Sequence, residues 1–434
     1  MQISKIGLRV AAIIATTALL AGCSTAQESS GGATEINYWT WFPPQATLDA
    51  AIAAFEAENP DITVKLRTFE AADYQKQLPL ALSSGEDIDV AGVQVSAMTN
   101  SVKDYLVPAE DWAADILPAI NSMMVEQTAA IADDGVLYSV PLGSIGSPLM
   151  FYNAAMLDEL GLSVPTTAAE WKKDVDAISA AHPEVTPVVF SGEPYWQEEM
   201  FFAIAEQNAP GLSDDIIGGD ESWDQPAVVD GLDAYKSLFD DGIVSPDVLS
   251  LLGSRPSELF SAGEAAFYID GSWNNSLLSA AYRAENGIEL TDVGVAPMPL
   301  VDGGKPAVRA LAEGGLAIPT ASKKQEAAKK FIAFMLSAGG ADVWAKDLIL
   351  VPSLTGYEVL DSVLESDAAL EGFAAATAVI SSPTSKRDSQ QDFLNAVEGN
   401  AILDVLRGTT SSKDAAARLQ SEWTSGRYPH GSGQ

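Results

Sequence analysis

Between Ile36 and Val95 the apolar residues change period repeatedly, and this alternation narrows the possible folds more than any other feature of the chain. Ile36 to Trp41 is aromatic and β-prone, with Asn37, Trp39 and Trp41 on one side and Ile36, Tyr38 and Thr40 on the other. Pro43-Pro44 stops that strand. Leu48, Ile52 and Phe55 follow at helical spacing behind a candidate Thr47 cap, and Asn59-Pro60 ends the helix. Ile62, Val64 and Leu66 then alternate with Thr63, Lys65 and Arg67, and a further apolar segment runs from Ile88 to Val95. Strand, helix and strand in succession predict a parallel α/β body.

The middle of the chain repeats this grammar. Val136 to Pro141, Leu149 to Tyr152 and Val185 to Phe190 read as strands, and Thr167-x-x-Glu170 reads as a capping box opening a helix through Trp171 and Val175. Trp196 to Gln207 and Val228 to Phe239 read as helices, whereas Ala265 to Ile269, Val293 to Ala296 and Gly315 to Ile318 read as strands. Ser322-x-x-Gln325 is expected to cap a helix carrying Ala328, Phe331 and Met335, and the closing third is largely helical. A chain of 434 residues is too long for one simple core, so two α/β lobes are expected.

At the start, Lys5 and Arg9 precede an apolar run from Val10 to Gly22 that is too short to span a bilayer. It ends in Leu20-Ala21-Gly22-Cys23, which resembles the lipobox of bacterial lipoproteins. That resemblance implies a signal peptide at 1–22 and a lipid on Cys23, which would hold the protein on a membrane without spanning it. Cys23 is the only cysteine, so no disulfide, thiolate nucleophile or cysteine metal site is expected. Residues 23–34, rich in Ser, Gly and Ala, read as a flexible tether, with folding beginning near Glu35. The formal net charge of −36 excludes a nucleic-acid role and opposes adsorption to anionic headgroups.

Catalytic signatures are missing from the sequence: no G-x-S-x-G elbow, no H-E-x-x-H, no Walker loop and no G-x-G-x-x-G occurs. Only His182 and His430 could serve a triad or a histidine-rich metal site, so no metal and no cofactor is expected. The acids leave open a carboxylate pair of the glycoside-hydrolase kind, and fold alone leaves open a surface scaffold or adhesin.

The order of segments resembles the extracellular solute-binding proteins of ABC importers, in the group typified by maltose- and oligosaccharide-binding proteins. The matching residues are Trp39-Thr40-Trp41, Phe55-x-x-x-Asn59-Pro60, Ile62-x-Val64, and Tyr74 with Gly85-x-Asp87-x-Asp89-Val90. Tyr138-x-Val140-Pro141, Phe151-Tyr152-Asn153, Met156-Leu157, Gly161-Leu162 and Pro165-Thr166-Thr167 follow. Phe260-x-x-Gly263-x-Ala265-Ala266, Gly271-Ser272-Trp273, Pro297-x-Pro299, Gly314-Gly315-Leu316-Ala317-Ile318, Ala327-Ala328-x-x-Phe331 and Val351-Pro352 complete the series. Glu313 departs from it, since many relatives carry glycine there.

The resemblance implies two lobes, each a mainly parallel sheet flanked by helices, joined by a hinge around a ligand cleft. It places the N-terminal lobe at 35–144 plus 310–358 and the C-terminal lobe at 145–309 plus 359–434. A monomeric sugar binder that delivers its ligand to membrane permease subunits is the implied function; a binder of another solute is the alternative.

Sugar rings call for flat aromatic faces and fork-like polar groups. Among nine tryptophans, Trp39 and Trp41 stand at a strand end, Trp196 follows Tyr195 after a proline, and Trp273 matches the family's stacking aromatic. The resemblance adds Gln94, Ser96, Ser144, Asn274, Arg309, Glu313 and Gly314 as candidate ligand contacts. Asp87 and Asp89 are expected to orient a loop, and Trp112, Trp171, Trp223, Trp344 and Trp423 to be structural.

Overall fold

The computed structural model describes residues 33–301, 303–358, 363–387 and 397–427. The expected signal peptide, Cys23, most of the tether and His430 lie outside the described residues. Twelve strands occur among those described: β1 (Thr34–Thr40), β2 (Ile62–Thr68), β3 (Val90–Val93), β4 (Gly143–Ser147), β5 (Leu149–Asn153), β6 (Thr186–Val189), β7 (Ala265–Asp270), β8 (Val293–Pro297), β9 (Arg309–Glu313), β10 (Gly315–Ala317), β11 (Val351–Pro352) and β12 (Ser385–Lys386). They form three four-stranded sheets, ordered β10-β3-β1-β2, β11-β4-β9-β12 and β6-β7-β5-β8.

In the first sheet β1 runs parallel to β2 from Thr34↔Ile62 to Thr40↔Thr68, and parallel to β3 at Tyr38↔Val90. The helices Gln45–Glu58 and Ala71–Ser84 make the two connections, as the changing period predicts. Asn59 closes the first of these, its side-chain amide donating to the Phe55 carbonyl at 3.0 Å. Thr47 is not its cap. Pro44 holds that position, and the Thr47 hydroxyl, inside the first turn, donates to Asp347. Ile36, Leu48, Phe55, Val90 and Phe331 pack into one core on this sheet.

Two crossover strands carry the chain onward: β4 runs through Pro148 into β5 of the third sheet, and β9 returns through Gly314 to β10 of the first. They pair antiparallel from Gly143↔Glu313 to Ser147↔Arg309. In the third sheet β5 lies antiparallel to both β7 and β8, and only β6 and β7 keep the expected parallel pairing there. Trp171, Phe202, Trp223, Phe267 and Trp423 fill the core beneath this sheet. A further cluster joins Val95 and Val351 to Leu149, Val308 and Ile380, packing the two bodies together along the crossovers.

Thr167 caps the helix Ala168–Ala181 as expected, accepting from the Glu170 N–H at 3.2 Å while the Glu170 carboxylate accepts from the Thr167 N–H at 3.2 Å. Ser322 does not cap the helix Gln325–Met335, whose first position follows Lys324. Its hydroxyl accepts from the Lys324 N–H at 3.1 Å, just ahead of the helix, and donates to the buried Asp89 carboxylate at 2.6 Å. Val136 to Pro141 forms no strand; only Val140 bridges Leu316, since Pro141 has no N–H to extend a ladder. Trp112, Trp171, Trp223, Trp344 and Trp423 are all buried. No helix among the described residues is long and apolar enough to cross a membrane.

Candidate ligand-binding site

Strand β7 ends at Asp270, and the chain turns through Gly271 into a short 3-10 segment, Ser272–Leu278, that carries Trp273. A β-carbon on Gly271 would fall 2.2 Å from the Trp273 ring, so only glycine lets the indole fold back over the strand end. Opposite, Pro194 starts the helix Pro194–Ala205 and sets Tyr195 and Trp196 in its first turn. Arg387 arrives directly after β12. Between them lies a cavity of about 140 Å³ lined by Ser191, Tyr195, Trp196, Gly253, Pro256, Tyr268, Asp270, Trp273 and Arg387.

The two indoles meet edge to face, with centroids 6.3 Å apart and planes at 80°. Arg387 places its guanidinium carbon 4.9 Å from the Trp273 ring centre, a cation–π contact. Its Nε lies 2.9 Å from Ser147 Oγ and 2.8 Å from Glu199 Oε1. The Asp270 carboxylate accepts from the Tyr268 hydroxyl and, at 2.8 Å, from the Gly271 N–H. Burial raises the Asp270 pKa above the ordinary carboxylate value; the bonds it accepts oppose that shift, and the Arg387 charge opposes it less.

Behind this wall the helix Pro194–Ala205 is buried from Trp196 to Ala205, so Glu198 and Glu199 both turn inward without any exposure. Such acids need cationic partners, and Arg309 and Arg387 supply them. Arg309 pairs with Glu198 and lies 3.6 Å from Glu199. Burial works against the Arg309 charge, and Glu198, Glu199 and Glu206 outweigh it, holding its pKa above the usual guanidinium value. Burial likewise pushes Glu198 up to about 8 against the attraction of Arg309.

Of the residues singled out in the sequence, Tyr195, Trp196 and Trp273 come together on this cavity. Asn274 follows in the same turn, its side chain acting on Tyr268 and Asp270 to lower the pKa of both. Arg309 is not on this cavity: it is 0% exposed and closed into the glutamate network. Ser144 is buried in β4, its hydroxyl donating to the Leu311 carbonyl at 3.0 Å. Ser96 caps the helix Ala97–Val102. Trp39 is 8% exposed, with the Arg67 guanidinium 4.3 Å over its ring. Trp41 stacks on Tyr74 at 5.4 Å, and Gln94 accepts from Gln75 at 2.8 Å.

Glu313, 7% exposed, ends β9 just before Gly314, which takes φ +67° and donates its N–H to the Glu313 carboxylate at 2.8 Å. Burial raises Glu313 to about 7, against the Gly314 N–H, the Arg387 charge and the Gln94 side chain. Asp89 is buried and, with the exposed Asp87, holds Lys324, as a loop-orienting role predicts. Ser191, Tyr268, Asp270 and Arg387 escape the sequence reading. Tyr268 and Asp270 carry a signal, two polar side chains at i and i+2 leading into Trp273; Arg387, far along the chain, carries none. Among the described residues no cluster of His, Cys, Asp and Glu could hold a metal ion.

The model of the family described as bacterial extracellular solute-binding protein matches residues 39–342. The multiple sugar-binding protein of Streptococcus mutans is 30% identical over 195 residues, 44% of each chain. An uncharacterized ABC transporter extracellular-binding protein of Pyrococcus horikoshii is 22% identical over 273 residues, covering 58% of each chain. The chain thus spans little more than half the length of the first curated relatives it matches. Among solved structures, maltose-bound MalE3 of T. maritima superposes with a TM-score of 0.66 at 20% identity, over 90% of this chain and 99% of that one, a likeness of fold.

Proposed function

The chain belongs to the bacterial extracellular solute-binding protein family, and from that premise we propose that it captures a sugar or oligosaccharide for an ABC importer. The observation that carries this reading is the corner of Trp196 and Trp273 closing on Asp270 and Arg387. Indole surfaces suit the C–H face of a pyranose, while a carboxylate and a guanidinium accept from and donate to its hydroxyls. The names of the S. mutans and T. maritima proteins point the same way.

In this proposal the two lobes keep the boundaries given above, the cavity is one wall of the cleft between them, and the β4–β9 crossover is the hinge. Cys23 carries the lipid anchor on the extracytoplasmic face of the cell membrane. The protein acts as a monomer, hands its ligand to permease subunits and leaves it chemically unchanged. Isothermal titration calorimetry against neutral mono- and oligosaccharides, followed by recovery of the sugar, tests this. Saturable binding of a sugar recovered intact is expected. A cleaved sugar would make the protein an enzyme, and silence across the panel would remove the sugar reading.

A further inference from the structure

Charge in the cavity is unevenly matched. Arg387 is answered from beneath, because Glu199, with no exposure, lies 2.8 Å from its Nε. Asp270 has only neutral donors against it, the Tyr268 hydroxyl, the Gly271 N–H and the Asn274 side chain, and feels Arg387 at longer range. The cavity therefore offers a negative acceptor beside a donor fork whose charge is already countered. The cavity is about 140 Å³, so a sugar seated in it displaces the water that would screen a second charge.

Resting on the sugar-binding reading above, we propose that Asp270 is a specificity-determining residue that admits uncharged sugars and rejects sugar acids. Hydroxyls of a neutral pyranose donate to the Asp270 carboxylate and accept from the terminal nitrogens of Arg387. A uronate brings a second carboxylate against Asp270, and like charges facing each other in a desolvated site repel. The pocket thus selects by charge as well as by shape, using one side chain at the end of β7.

Calorimetry on the purified full chain at pH 7 tests this with matched pairs, glucose with glucuronate and galactose with galacturonate. The wild-type protein is expected to bind the neutral member at least ~10-fold more tightly. Asp270→Asn keeps the shape, since the Tyr268 hydroxyl can accept from the amide, and it should narrow the ratio to about 3-fold or less by strengthening the uronate arm. A wild-type protein that binds the uronate as well as the neutral sugar overturns the inference even if the variant does not fold. So does an Asp270→Asn protein that melts like wild type and keeps the full ratio. Silence with every pair overturns the inference, and only silence across the oligosaccharide panel as well removes the sugar reading; an unchanged ratio removes the inference alone.

Discussion

Two aromatic clusters stand at strand ends in this molecule, and the one at β7 lines the cavity of Asp270 and Arg387. At β1 the Trp39 indole lies beneath Arg67 and 5.1 Å from Phe69. At β7 the Trp273 indole meets Trp196 and Arg387 and still borders the cavity. The difference follows from register. Trp39 is still within the ladder, paired directly with Arg67 of β2, so its cross-strand neighbour covers it. Trp273 stands three residues beyond Asp270, which is the last residue of β7 paired with β5, at Leu149. An aromatic residue inside a ladder is closed off by the adjacent strand; one past the last paired residue keeps a surface for a ligand.

The largest effect that tests this contrast is on stability. Trp39→Ala removes a nearly buried indole from the cluster of Tyr74, Leu78 and Val93, and should cost ~3–5 kcal/mol in denaturant unfolding. Affinity of the folded protein for its sugar should stay within about twofold, well inside the ~1.4 kcal/mol that a tenfold change represents. A stable Trp39→Ala protein with lost affinity would return the end of β1 to the binding surface.

Glu313 lies between the two regions, with Gln94 from the chain after β3 and Arg387 from the cavity wall both acting on its carboxyl. In the unfolded chain this group gives up its proton near the ordinary 4.5; in the folded protein it does so near 7. Between those values the unfolded state holds fewer protons, so stability falls as pH rises, by at most ~1.4 kcal/mol per pH unit from this group. The cost is absent well below 4.5 and complete above about 7. Glu313→Gln should therefore melt increasingly above wild type as pH is raised across that window. Parallel melting curves for the two proteins would mean that the carboxyl is not desolvated at the junction.

Local rules made much of the fold legible in advance. The period change from Ile36 to Leu66 gave strand, helix and strand, and Thr167 with Glu170 marked a helix start to the residue, because both signals depend on neighbours in sequence. Ser322 stands two residues ahead of the cap position, where its hydroxyl accepts from the Lys324 N–H and donates to Asp89, a partner brought close only by tertiary folding. The same distinction divides the site. Tyr195, Trp196 and Trp273 were visible as aromatic residues beside turns, whereas Arg387 reaches Trp273 only through the pairing of β12 with β9. Arg309 came from the resemblance alone, and its closure by Glu198 and Glu199 was not legible, because a pair of consecutive acids looks, in sequence, like a solvated face and here lies on a helix buried from Trp196 onward.

Trp273→Ala gives the smallest of the three energies and bears most directly on the comparison. The ring is only partly buried and packs on the core from outside, so its loss should disturb folding much less than loss of Trp39. Stacking a sugar face on the indole would remove about 50 to 100 Å² from water, roughly 1 to 2.5 kcal/mol at ~25 cal/mol per Å². Affinity should fall about 5- to 70-fold, with part of the loss coming from Arg387, whose guanidinium would no longer rest on the ring. Melting temperature and affinity measured on both tryptophan variants form a crossed pair: Trp39→Ala moves the first and spares the second, and Trp273→Ala does the reverse. If both variants lose stability and keep affinity, both indoles are core residues and the ladder rule fails at β7. If Trp273→Ala alone loses affinity, position relative to the last paired residue is what separates a packing tryptophan from a binding one in this chain.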